Sequence, residues 1–80
     1  MLLESFVSVI QSYYDDAVNR GFDSIIIAID TGQENTYYIN DTPEGFQCDF
    51  FDYVFDDIED ISVEVWERIN CEEITEIRIE

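Results

Sequence analysis

Eighty residues, 46% of them apolar and 15% aromatic, with one proline and three glycines, make a chain that folds around a single core and has no room for a second. Twenty Asp and Glu stand against three arginines (Arg20, Arg68 and Arg78), with no Lys and no His, for a net charge of −17. Direct binding of DNA, RNA or an anionic membrane is close to excluded for want of a basic footprint, and imidazole ligands, Ser-His or Cys-His pairs and lysine chemistry are excluded outright.

The first element reads as a helix over about residues 2–20. Leu3, Phe6, Val7, Ile10, Tyr14 and Ala17 recur at steps of three and four, opposite Ser5, Ser8, Gln11, Ser12 and Asp15. Arg20 suits the negative end of the helix dipole and Gly21 supplies a left-handed cap. No basic residue precedes the apolar stretch at Met1-Leu2-Leu3, so no signal peptide is expected, and no apolar run approaches the roughly 20 residues of a membrane span.

Ser24-Ile25-Ile26-Ile27-Ala28-Ile29 is a β-branched run, apolar on both faces, and reads as a central strand. Residues 30–35 read as a turn and Thr36–Asn40 as the antiparallel partner strand, after which Asp41-Thr42-Pro43-Glu44-Gly45 breaks the chain. Over residues 46–59 the spacing returns to helical. Phe46, Phe50, Phe51, Val54, Phe55 and Ile58 form one face, and Asp49, Asp52, Asp56 and Glu59 step along the other. Residues 60–71 fit a helix better than a strand, with Ser62 as its cap and Glu64 in its first turn. Ile74–Ile79 alternates cleanly and closes a sheet. The expected order is α-β-β-α-α-β: one α+β domain over residues 1–80, with an antiparallel sheet of about three strands packed with two to three helices.

Few motifs carry chemistry. Asp30-Thr31-Gly32 after an apolar strand matches the catalytic tripeptide of retropepsin-type proteases, but Asp-x-Gly is also ordinary hairpin chemistry, and the turn is preferred. The cluster Asp56-Asp57-Ile58-Glu59-Asp60 lacks the spacing and glycine of a calcium loop, and 80 residues offer little cleft for a glycosidase carboxylate pair. Cys48 and Cys71 are too few for a disulfide framework or a four-thiolate zinc site and read as reduced thiols of a cytosolic protein. No catalytic residue, cofactor or metal is assigned.

The acidic face carries the functional expectation. On a helix, Asp49, Asp52, Asp56 and Glu59 would rise by about 4.5–6 Å per step, comparable with the roughly 3.4 Å between phosphates of one DNA strand. With flanking Asp57 and Asp60 they form the expected partner-binding surface. A solvated face kept acidic for solubility is the plain alternative. An imbalance of 20 acids to three bases costs stability by self-repulsion, and that cost favours a selected purpose.

In size, acidity, absence of lysine and expected helix-plus-small-sheet layout, the chain resembles the small acidic phage proteins that mimic nucleic acid. Among these are anti-CRISPR proteins that occupy the DNA-binding cleft of an effector nuclease, and uracil-DNA glycosylase inhibitors. The resemblance is one of kind, without a motif that would transfer functional residues by position. It implies a phage or mobile-element origin, action in the host bacterial cytoplasm, and inhibition by occlusion rather than catalysis. The expected partner is a basic nucleic-acid-binding protein such as a defence nuclease, bound by a monomer or homodimer. An immunity protein or antitoxin against a nuclease toxin, and an acidic adaptor subunit, are the alternatives.

Overall fold

A computed structural model describes residues 1–69 and 72–80. Its elements are helix α1 (Leu3–Asn19), strands β1 (Ile26–Thr31), β2 (Thr36–Thr42) and β3 (Gly45–Cys48), helix α2 (Ile58–Ile69) and strand β4 (Ile74–Ile79). The fold is α+β in the order α-β-β-β-α-β, with a four-stranded antiparallel sheet ordered β3-β2-β1-β4.

Period-two alternation divides the sheet into two faces. Ile27, Ile29, Ile39, Ile77 and Cys48 align across the strands and join the core with Phe6, Ile10, Ala17, Ile61, Val65 and Ile69 of the two helices. Ala28, Tyr38, Arg78, Asn40 and Gln47 lie on the other face, away from both helices. Ala28 is nevertheless fully buried, because its cross-strand neighbours Tyr38 and Arg78 flank a side chain of one methyl. Trp66, near the end of α2, donates its indole N–H to the Met1 carbonyl at 3.2 Å, so α2 runs back along α1 towards its start.

The C-terminal end of α1 follows the sequence. Gly21, at φ 81°, takes the left-handed position. The Phe22 N–H reaches the Ala17 carbonyl at 3.1 Å and the Gly21 N–H reaches Val18 at 3.0 Å, satisfying two terminal carbonyls. Arg20 pairs with Asp16 at 3.1 Å, with both side chains well exposed. The first strand begins two residues later than expected and runs through Asp30 and Thr31, so the turn to β2 occupies only residues 32–35. Glu34, at φ 64°, closes it with its N–H on the Thr31 carbonyl at 3.1 Å.

The expected helix over 46–59 is absent, and this is the main correction. Pro43-Glu44 is a two-residue hairpin loop rather than a break, with Thr42 paired to Gly45 and its hydroxyl on the Gly45 carbonyl at 2.7 Å. The chain then continues as β3, with Phe46 and Cys48 buried and Gln47 exposed. Phe46 and Phe55 exchange backbone hydrogen bonds of 2.7 and 2.8 Å, folding the intervening residues into a closed loop. The segment is rich in Phe and Asp, both weak helix formers, and its aromatics gain more by packing on the sheet edge than by lining a helix stripe.

The second helix starts at Ile58. Its cap is Asp57, whose Oδ1 accepts the Glu59 N–H at 2.9 Å, and not Ser62. Ser62 is buried within the helix, its hydroxyl on the Ile58 carbonyl at 2.6 Å. Cys48 is a buried free thiol, whereas Cys71 lies outside the described residues. No helix among the described residues is long and apolar enough to cross a membrane.

Candidate functional site

The expected binding residues fall on the loop 49–57 and the first turn of α2. Asp49 follows β3 in a turn, Asp52 and Asp56 lie in the loop, Asp57 caps α2, and Glu59 and Asp60 occupy its first turn. All six side chains are exposed. They form one continuous segment but not the helical row anticipated, so the regular axial step between carboxylates is lost. Asp57, Glu59 and Asp60 do sit at the positive end of the α2 dipole, where negative charge is favourable.

Aromatic packing fixes the loop. Phe51 is buried and touches three rings: Phe50 at 6.1 Å, Phe55 at 5.3 Å and Tyr53 at 5.6 Å between centroids. Phe50 leans on Tyr37 of β2 at 4.8 Å, and the Arg68 guanidinium of α2 lies over the Phe51 ring at 5.6 Å. The backbone adds a geometric lock at Gly45. Its φ of 143° suits glycine, and a Cβ built there would stand 2.6 Å from the Phe55 carbonyl oxygen. Above this packed base, Tyr53 and Val54 stay 57% and 39% exposed, an apolar pair between Asp52 and Asp56.

Charge is almost unneutralised. Among the described residues, Asp16, Asp30, Glu76 and Glu80 have an arginine within 4 Å, and no such pair is formed by the other acids. Arg20 is paired with Asp16, Arg78 is shared by Asp30, Glu76 and Glu80, and Arg68 is stacked on Phe51.

A second polar group lies where β1, β2 and the start of β4 meet. Glu72 accepts hydrogen bonds from the Tyr37 hydroxyl at 2.7 Å, the Thr31 hydroxyl at 2.7 Å and the Asn35 amide at 3.1 Å, and these donors hold its carboxyl below the usual range. On the open sheet face the Asp30 carboxylate accepts from the Thr36 hydroxyl at 2.7 Å and from Arg78, and these partners, Thr36 foremost, lower its pKa. Both carboxylates are therefore engaged by side chains of their own chain. Asp30 and Thr31 of the protease-like tripeptide are strand residues that tie β1 to its neighbours.

Three features escape the sequence reading. Val54, assigned to the apolar face, is exposed; Arg68 stacks on Phe51; and Glu72 joins three segments. Gly45 after Pro43-Glu44 was a usable hairpin signal, whereas nothing local to Glu72 announces its partners. Comparison with protein-family models, curated proteins and solved structures gives no match.

Proposed function

We propose that this protein is a stoichiometric inhibitor whose acidic surface stands in for nucleic acid and occludes the basic channel of a nucleic-acid-binding protein, a host defence nuclease in the bacterial cytoplasm. The observation that carries the reading is the arc from Asp49 to Asp60: six exposed carboxylates that have no cation within 4 Å among the described residues, mounted on a base of packed rings and surrounding exposed Tyr53 and Val54. Regular helical spacing is not required of such a mimic. It needs charges whose positions are fixed before association, so that little ordering is lost on binding, and the Phe46–Phe55 closure with buried Phe51 supplies that. The uncompensated field speeds encounter with a basic cleft, and desolvated carboxylates then hold it. An immunity protein facing a nuclease toxin would use the same surface in the same way. Tyr53 and Val54 also favour a second reading, an acidic adaptor whose apolar tip leads binding.

Salt and competition separate these readings. The immobilised protein is exposed to bacterial lysate at low salt, and the retained protein is challenged with duplex DNA, guide RNA or a salt step. Release by nucleic acid and a steep salt dependence are expected. Retention unchanged at saturating DNA and RNA would overturn occlusion, and salt-insensitive retention would support the adaptor. Asn at both Asp52 and Asp56 should weaken capture at least about tenfold and flatten its salt dependence, whereas the same change at Glu4 and Asp15 of α1 should do much less. Equal effects of the two double variants would remove the assignment to this loop.

A further inference from the structure

The strand order β3-β2-β1-β4 leaves two outer strands, and among the described residues their outer sides are treated differently. Phe55 takes the outer hydrogen-bonding positions of Phe46 in β3. Among the described residues, no backbone group does the same for β4. The phase of the ladder shows which groups are left. The Glu80 N–H donates to the Ile26 carbonyl at 2.9 Å, and antiparallel pairs alternate, so Arg78 and Glu76 also direct their backbone groups at β1. Ile77 and Ile79 direct theirs outward.

Two different side-chain surfaces flank this free edge. On the helix side, a groove of about 350 Å³ between α1 and β4 is lined by the apolar side chains Met1, Val9, Tyr13, Ile74 and Ile77 together with Thr75 and Glu76. On the open sheet face stand Glu76, Arg78 and Glu80, and the single cation is already shared among Asp30, Glu76 and Glu80. An incoming strand would therefore meet a groove with five apolar side chains and a polar margin on one side, and net negative charge on the other. Side chains alternate along a strand, so the complementary segment alternates too.

We propose that the outer edge of β4 accepts an extended basic segment of a partner protein as a fifth strand, with apolar side chains in the groove and Lys or Arg against Glu76 and Glu80. Main-chain hydrogen bonds to Ile77 and Ile79 supply the affinity, and the two flanking surfaces supply the selectivity. A second copy of this chain is the wrong occupant. Each copy carries −17, and pairing Ile77 with Ile79 of the other copy would also set Glu76 opposite Glu80. The acids on the edge thus discourage self-pairing while admitting a cationic strand. The proposal stands apart from the acidic loop, which lies by the opposite edge of the sheet.

The test uses a synthetic peptide of alternating Lys and Val, added to the full chain at physiological salt, with amide hydrogen exchange as the readout. In the free protein the Ile77 and Ile79 amides should exchange much faster than that of Arg78, which faces β1. With the peptide, Ile77 and Ile79 should be protected at least about tenfold. A peptide N-methylated at the amides that face β4 should bind at least about tenfold more weakly, and Tyr13→Ala, at an exposed helix position, should weaken binding without altering the circular dichroism. An alternating Glu-Val peptide should not bind. Peptide binding that leaves Ile77 and Ile79 unprotected, or protects only residues 49–57, would overturn the proposal. So would concentration-dependent protection of β4 without peptide, since that would make a second copy the occupant.

Discussion

The two outer strands of this sheet are finished by different physics. β3 is only four residues long, yet the chain returns to seal it: Phe55 pairs with Phe46, Phe51 is buried beneath, and the acids of residues 49–60 sit above an apolar base. β4 is six residues long and receives no such return among the described residues. What it has is charge: Glu76, Arg78 and Glu80 along the open face, and Glu72 hydrogen-bonded to Thr31, Asn35 and Tyr37 just before it. One edge is closed by packing and the other is guarded by polar groups, so they should respond to different perturbations.

The largest effect should come from the packed edge. Phe51→Ala removes a buried ring that touches Phe50, Tyr53 and Phe55, and should cost about 3–5 kcal/mol by urea unfolding. Tyr13→Ala, beside β4 and 40% exposed, should change stability by less than about 0.5 kcal/mol. Comparable losses from the two would mean that the edges are equally packed. Gly45→Ala follows, at about 1–3 kcal/mol for the backbone conformation, increased by its clash with the Phe55 carbonyl. Its amide exchange should quicken at Phe46 and Phe55 first, and unchanged exchange there would show that the seal does not depend on glycine. Asp57→Ala should cost about 1 kcal/mol through the lost cap of α2, the one acid of the loop whose removal destabilises by a specific bond rather than relieving repulsion.

The smallest effect, and the one specific to the β4 side, is in pH. The Glu72 carboxyl is held below its ordinary 4.5 by the Tyr37, Thr31 and Asn35 donors. A depressed folded pKa stabilises fully above the unfolded value and is lost as pH falls through the folded one. The stability difference between wild type and Glu72→Gln should therefore be constant near neutrality and shrink below about pH 4.5, in paired urea titrations across that range. A difference that persists unchanged to low pH would assign the contribution of Glu72 to packing.

The contrast between edges also explains what the sequence showed and what it hid. α1, the isoleucine-rich first strand, the alternation of Ile74–Ile79 and the helical rather than strand reading after Asp60 were legible, because each element carries its own period and its own punctuation. The phenylalanines of segment 46–59 recur at helical spacing while answering to a tertiary demand, the sealing of β3. Periodicity reports a face but not which partner fills it. The six acids were found as a group, since composition alone exposes them, but their geometry depended on the missing helix. The junction at Glu72 was invisible for another reason: its donors lie 35 to 41 residues away.

Cys48 turns the sealed edge into something measurable in time. It is the last residue of β3, 1% exposed, and burial pushes its thiol pKa up, so in the closed molecule it is both shielded and poorly ionised. An alkylating reagent can reach it only when β3 lifts away from the helices. In a Cys71→Ser background the rate of Cys48 labelling would then count openings that expose this end of β3. Tightening of that rate in the presence of a partner would register engagement of the loop above β3 without a probe being placed in the interface itself.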